Sequence, residues 1–304
     1  MRAMILAAGL GTRLRPISYT VPKPMVPLGG RPLIARLIDS LIAAGAREIA
    51  VNLHHLPKVI ESYLRAQFPD ARFEFSFEPQ ILGTGGGLRK MRAFLEHEED
   101  CFLLNGDTFQ RPRFEDLRRA RRQRDAIAAI TLRHPPAGDR YTAVWEENGL
   151  VTGYGQGRGE SLMFSGSHCV SSRIFQHIPD RDVSDLTGSV YQPLVKSDKE
   201  KIAAVIDDDP MWFDVGTPQR YLTAARAFGK TVGNSIVEGQ VRDSVIWDDC
   251  FIARGVTLES CIVAHGVEIR TPMELRNAIT CKDDPAIPRD PSYRFENGLV
   301  IACI

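Results

Sequence analysis

The stretch from Leu6 to Pro16 reads LAAGLGTRLRP, so two glycines, a threonine and two arginines directly follow the apolar run AMIL. Gly9 and Gly11 let the backbone turn sharply and approach a ligand closely. Exposed amide groups in such a turn make a cradle for an anion. Arginines beside them point to phosphate. A dinucleotide loop needs a third glycine where Leu14 stands, and a Walker loop needs Gly-Lys-Ser/Thr where this chain has Gly11-Thr12-Arg13. Both common phosphate motifs are therefore excluded. A merely tight strand-to-helix turn is the plain alternative.

A second candidate is Lys23, held between Pro22 and Pro24 in VPKPMVPLGG. Proline fixes its own backbone and keeps the residue before it extended. The lysine thus sits in a rigid segment, as it must if its ammonium is to meet a phosphate at one place; a surface lysine on a Pro-rich loop is the alternative. Two carboxylates end apolar runs: Asp107 in LLNGD and Asp214 in MWFDVGTP. The carboxyl ends of strands are where open α/β sheets bind ligands. Two carboxylates plus phosphate oxygens suit Mg²⁺, which keeps several waters. Either aspartate alone would be read as a cap or a turn residue. Finally, LGTGGGL at 82–88 puts glycines just ahead of a helical pattern. Bare backbone there leaves room for a flat base, and Thr84 has the side chain of a helix N-cap.

The elements that must position these residues follow from periodicity. RAMILAA, EIAVNL, RFEFSFE, CFLLNG and AIAAITL read as strands. RPLIARLIDSLIAAG reads as a helix, with Ile34, Leu37, Ile38, Leu41 and Ile42 at spacings of three and four. LPKVIESYLRAQF, GLRKMRAFLEH and RFEDLRRARRQR read likewise. Such alternation predicts a parallel sheet covered on both faces. Residues 140–215 add antiparallel character: a hairpin about Asn148-Gly149, the strands SLMFSGSHCVSS and EKIAAVIDD, then the helix TPQRYLTAARAFG. From Asn234 apolar residues recur every five or six positions with Gly, Asp and Ser between them. That period predicts about two coils of a parallel β-helix, with ordinary antiparallel strands as the alternative. The expected division is 1–230, 234–270, and a Pro-rich tail 271–304 ending in a hairpin.

Composition narrows the partners. Lys plus Arg and Asp plus Glu number 38 each in 304 residues. No global field then steers the chain to nucleic acid or an acidic membrane, and a phosphate site must be local. The six cysteines include no C-x-x-C pair and sit mostly in apolar runs, which reads as buried thiols in a reducing, cytoplasmic setting. No run has the ~20 apolar residues of a membrane span. His97, His134, His168, His177 and His265 share no metal spacing. His54 and His55 follow a strand at the ligand edge and read as structural, with substrate contact as the alternative. RRARRQR at 118–124 reads as a solvated basic face, with docking to an anionic surface as the alternative, and Asp207–Asp209 as a turn, with carboxylates near the metal site as the alternative.

Taken in order, LAAGLGTRLRP, PKP, GTGGG, FLLNGD, FSG and WFDVGT resemble the sugar-1-phosphate nucleotidylyltransferases over roughly residues 1–228. The muramyl-1-phosphate uridylyltransferase and mannose-1-phosphate guanylyltransferase branches are the most similar in style. The resemblance implies a Rossmann-like, glycosyltransferase-A-type mixed sheet, with an appended left-handed β-helix like that of longer members. It also implies one reaction: a sugar phosphate oxygen attacks the α-phosphorus of an NTP and pyrophosphate leaves. Carried over by position, Ala8, Gly9, Gly83 and Thr84 contact base or ribose. Gly11, Thr12 and Arg13 hold the triphosphate, Lys23 bridges the attacking and α-phosphates, and Asp107 and Asp214 hold Mg²⁺. Asn105, Thr142 and Gly166 fall on the sugar side. There the sequence departs from the pattern, with GQGRGESL where many relatives carry Glu-Lys-Pro and Thr142 where a glycine stands.

The expected partners are an NTP and a sugar 1-phosphate, with a second copy of the chain joined through the β-helix. Two other classes compete. One is a regulatory or scaffolding homologue of the same fold, against which the intact Arg13, Lys23, Asp107 and Asp214 argue. The other is a cytidylyltransferase for a non-sugar phosphate such as phosphocholine. That substrate would want an aromatic cage, for which Tyr141, Trp145, Tyr154 and Phe164 are the candidates.

Overall fold

The computed structural model describes residues 1–138 and 141–304. The chain forms two compact units, Met1–Gly9 with Leu37–Trp212, and Leu10–Arg36 with Phe213–Ile304.

In the first unit the apolar runs become strands of one mixed sheet, nine-stranded among the described residues. Its spatial order is Arg72–Phe77, Glu48–Leu53, Arg2–Leu6, Cys101–Asn105, Glu160–Val170, Ala128–Arg133, Ile202–Ile206, Leu150–Tyr154, Ala143–Glu147. The first four are parallel, as the alternating pattern requires. Glu160–Val170 then runs antiparallel to Cys101–Asn105. This long strand also pairs with Ala143–Glu147, so the last five strands close into a ring. Asn148 and Gly149 take φ of +55° and +78° and turn the hairpin there, the mirror-image geometry that suits strand twist. Met4, Leu103, Ile130, Leu132 and Tyr191 belong to one buried cluster, each such aliphatic side chain contributing about 1.5–3 kcal/mol.

Helix positions follow the sequence closely in two cases. Leu33–Ala43 begins just after Pro32, and Gly45 follows its end at φ +90°. Pro57–Gln67 starts on Pro57. Other readings need correction. The glycines of LGTGGGL are inside a helix, Gly83–Lys90, rather than ahead of it. Thr84 is not its N-cap: its Oγ1 accepts the Leu186 N–H at 2.8 Å. The basic helix Phe114–Gln123 is also more than a solvated face. Arg121 is buried and ion-paired with Asp100, itself buried, and Arg122 joins both Asp100 and Glu99. Five cysteines are buried, but Cys303 is exposed.

In the second unit the five-to-six spacing becomes three parallel ladders. Ile236 pairs with Phe251 and Phe251 with Glu268; Gln240 with Thr257 and Thr257 with Glu274; Val245 with Ile262 and Ile262 with Ile279. One circuit advances about 17 residues, as from Gln240 to Thr257 to Glu274, and three faces divide that into steps near the observed period. Ile252, Val256, Leu258, Val263, Val267 and Ile269 fill the column. Each ladder has three strands, one more layer than the sequence period led us to expect. Leu299–Cys303 and Tyr293–Glu296 then add antiparallel strands beside Ala278–Lys282. Among the described residues, no helix is long and apolar enough to cross a membrane.

Candidate active site

Parallel pairing fixes where the first glycine loop leaves the sheet. Leu6 lies opposite Asn52 on one side and Asn105 on the other. Ala7, Ala8 and Gly9 therefore emerge at the carboxyl edge beside both asparagines. Asn52 Oδ1 accepts the Ala7 N–H at 2.8 Å, and Asn52 Nδ2 donates to Glu78 Oε1 at 2.8 Å. Glu78 Oε2 accepts the Leu82 N–H at 2.9 Å. Glu78 is fully buried and Asn52 nearly so. One amide and one carboxylate thus tie the residue before Ala8-Gly9 to the residue before Gly83-Thr84. His54 Nδ1 lies 2.7 Å from the Glu78 carbonyl, a structural contact.

The glycines at 83–87 owe their place to this packing. The Ser184 carbonyl accepts the N–H groups of Gly85 and Gly86 at 2.9 and 3.1 Å. A Cβ on Gly83 would stand 2.4 Å from that same oxygen, and a Cβ on Gly87 would stand 2.7 Å from Asn52 Nδ2. At Gly83 backbone lies against backbone, and at Gly87 the Asn52 and Glu78 side chains fill the space a Cβ would need, which only glycine allows.

Asp107 follows Asn105-Gly106, whose Gly106 N–H donates to the Leu6 carbonyl at 2.9 Å. Thr108 Oγ1 donates to Asp107 Oδ1 at 3.3 Å. Asn105 and Gly166 come together: a Cβ on Gly166 would stand 3.3 Å from Asn105 Cβ. Thr142 lines a cavity of about 420 Å³ with Tyr141, Tyr154, Phe164, Asp185 and Thr187. The Tyr154 hydroxyl is buried with no hydrogen-bond partner among the described residues, and burial raises its pKa. A further buried pair stands beside Phe164: His168 Nδ1 lies 3.0 Å from the Tyr191 hydroxyl, and the Phe164 and His168 rings are 4.5 Å apart. Burial pushes the His168 pKa down to about 3, so its imidazole is neutral at ordinary pH.

The second unit carries Gly11, Thr12, Arg13, Lys23 and Asp214. Gly11 has φ +63°, and a Cβ there would meet Lys23 Cβ at 3.0 Å. Lys23 opens the short turn Lys23–Met25 and is 6% exposed, an unusual place for an ammonium-bearing side chain. Arg13 and Asp214 both approach Gly216: a Cβ there would stand 2.6 Å from Asp214 Oδ1 and 2.8 Å from Arg13 Nη2. Asp214 accepts the Gly216 N–H at Oδ1 and pairs with Arg220 at Oδ2.

The nucleotidyl transferase family model matches residues 2–231. The chain belongs to the nucleotidyl transferase family. Among similar members, a UTP–glucose-1-phosphate uridylyltransferase of Synechocystis is 31% identical over 266 residues, covering 81% of this chain and 68% of that protein. A D-glycero-alpha-D-manno-heptose 1-phosphate guanylyltransferase of Campylobacter jejuni is 29% identical, covering 73% and 97%. Among solved structures, HddC from Yersinia pseudotuberculosis has a TM-score of 0.61 at 24% identity, covering 75% of this chain and 99% of that one. The fold is accordingly that of a nucleotidyltransferase with stacked parallel sheets appended.

In this nucleotidyltransferase the main residues that sequence reasoning missed are Asn52, Glu78 and Arg220. Asn52 and Glu78 end strands at the ligand edge, a position that could have flagged them. Arg220 stands six residues after Asp214 on the helix Pro218–Ala227. An aspartate followed at that distance by an arginine across a helix N-cap was a readable sign of a carboxylate already in an ion pair.

Proposed function

We propose that this nucleotidyltransferase carries a nucleoside monophosphate from an NTP to a sugar 1-phosphate. In this reading a phosphate oxygen of the sugar 1-phosphate bonds to the α-phosphorus, the bond from that phosphorus to the α–β bridging oxygen breaks, and pyrophosphate leaves with the electron pair. Two anions must meet, so the site has to supply positive charge and alignment rather than covalent chemistry. The buried Lys23 stacked under Gly11 is the observation that carries the reading. A lysine kept that far from bulk water has its charge in a fixed place.

The roles divide by residue. Ala8, Gly9 and Gly83 offer backbone to base and ribose, with Asn52 and Glu78 holding those segments in register. Thr84, spoken for by Leu186, stabilises the segment rather than reading the nucleotide. Gly11, Thr12 and Arg13 receive the triphosphate, and Lys23 meets the attacking and α-phosphates. Asn105, Thr142 and Gly166 face the acceptor. Mg²⁺ would neutralise phosphate oxygens when bound. The donor chemistry fits: Asp107 offers carboxylate oxygen, and Asp214 keeps accepting capacity beside its two donors, since a carboxylate has about four lone-pair sites. Among the described residues no cluster of three or more His, Cys, Asp or Glu side chains forms a cage, and Mg²⁺ needs only one or two carboxylates with substrate phosphates.

The aromatic lining of the 420 Å³ cavity supports a second acceptor class. Tyr141, Tyr154 and Phe164 share it with Asp185, and such a wall suits a trimethylammonium group. The test is a panel of NTPs crossed with sugar 1-phosphates and phosphocholine, scored by pyrophosphate release with Mg²⁺. Turnover with one or more sugar 1-phosphates is expected. Turnover with phosphocholine alone would favour the second class, and none with any acceptor would refute both.

A further inference from the structure

From its repeats alone, the β-helix is expected to join a second copy of the chain. Bonds inside the second unit give it a task within one chain. The segment that carries Gly11, Thr12, Arg13 and Lys23 is fastened to the C-terminal residues at several points. The Tyr221 hydroxyl donates to the Pro27 carbonyl at 2.7 Å, just past the Lys23–Met25 turn. Trp247 Nε1–H donates to the Tyr221 hydroxyl oxygen at 2.9 Å, and the two rings meet edge to face at 6.4 Å. Both side chains are buried, at 1% and 5% exposure. Trp247 is itself built into the coil: its N–H donates to the Val263 carbonyl, and its carbonyl accepts the Ser235 hydroxyl.

Two other fastenings lie along the same segment. Tyr19 is hydrogen-bonded to Tyr293 of the terminal hairpin, where burial pushes the Tyr293 phenol up to about 12. The Arg15 guanidinium covers the Tyr19 ring at 4.6 Å. Arg36 donates to the Leu28 carbonyl and lies 4.5 Å over the Phe228 ring, at the end of the helix that carries Tyr221.

We propose that the β-helix and its hairpin are an intramolecular brace that holds the Lys23 segment in its working geometry, with Tyr221 and Trp247 as positioning residues. The inference rests on the reading of Lys23 as a phosphate ligand. A phenol–indole pair is apt for this task. Each ring is a rigid, buried body whose single polar atom fixes the next group in line. Loss of the Tyr221 hydroxyl leaves the Pro27 carbonyl and the Trp247 N–H without their partner, and loss of the indole frees the hydroxyl to shift; the segment relaxes rather than unfolds.

The experiment uses the full chain, with Tyr221→Phe, which keeps the ring and loses the hydroxyl, Trp247→Phe, which keeps an aromatic ring and loses the indole N–H, and Lys23→Ala beside them. Hydrogen exchange over residues 10–36 and steady-state kinetics are both read. The brace predicts faster exchange in that segment, kcat about tenfold lower, and KM for NTP within about twofold. It also predicts that Tyr221→Phe adds little in the Lys23→Ala background, because its effect travels through Lys23. Unchanged kcat in both ring variants overturns the brace, and so does a full additional loss in the double variant. Wild-type activity in Lys23→Ala refutes the underlying reading of the site instead, and separates the two failures.

Discussion

Replacing Gly83 by Ala asks whether the glycine-rich helix start is there for packing. Gly83 has φ +73°, and an added Cβ would stand 2.4 Å from the Ser184 carbonyl oxygen. The left-handed conformation alone costs a non-glycine residue about 1–2 kcal/mol. The oxygen that must move also accepts the Gly85 and Gly86 N–H groups, and losing two such bonds adds about 2 kcal/mol. Gly83→Ala should therefore destabilise by about 3–4 kcal/mol. Gly45 supplies the control. It has φ +90° with open space around its Cβ position, so Gly45→Ala should cost only the conformational share, about 1–2 kcal/mol. Urea melts of both variants give the difference, and the KM for NTP should rise in Gly83→Ala only. Equal costs for the two variants would refute the packing argument.

Other outcomes follow from the same contacts. Arg121→Met leaves buried Asp100 without its closest cation, and denaturant unfolding should show a loss of about 3–5 kcal/mol, partly recovered when Asp100→Asn is added. His168 has its pKa lowered to about 3 by burial. The unfolded chain then binds the extra proton first, so stability is full above about pH 6.5 and falls towards pH 3 by up to about 1.4 kcal/mol per unit. Unfolding melts across that window should show His168→Gln flattening the slope. Asp107→Asn should lower turnover by on the order of 10²–10³ and raise the Mg²⁺ concentration at half-maximal rate; an unaltered Mg²⁺ titration would remove Asp107 from that role.

Local signals carried much of the fold. Asn148-Gly149 names its own turn, Pro32 and Gly45 bracket a helix, and the spacing from Ile236 to Val267 spells out three faces of a coil. Those features depend on neighbours in sequence. What stayed hidden depends on distant partners. Glu78 becomes a bridge only because Asn52, on the adjoining parallel strand, points an amide at it. The glycines at 85 and 86 read as room for a base, yet the backbone near Ser184, about a hundred residues on, fills that room. Arg121 looks like any other member of a basic run until Asp100 is placed beside it. Asp214 was legible as a carboxylate at a strand end, but its pairing with Arg220 needed the helix N-cap at Thr217 to bring the two together.

Closure of the last five strands into a ring also decides how the catalytic sheet can meet other polypeptides. Glu160–Val170 doubles back onto Ala143–Glu147, so that end offers no open ladder. Within this sheet, among the described residues, the opposite flank, Arg72–Phe77, is the strand with one side unpaired. Arg72 and Glu74 are exposed there, and Arg72 pairs with Glu48. A stray chain seeking to anneal would have to bury those charges. This sheet thus leaves one gate to fibril-like growth and posts a charged guard on it.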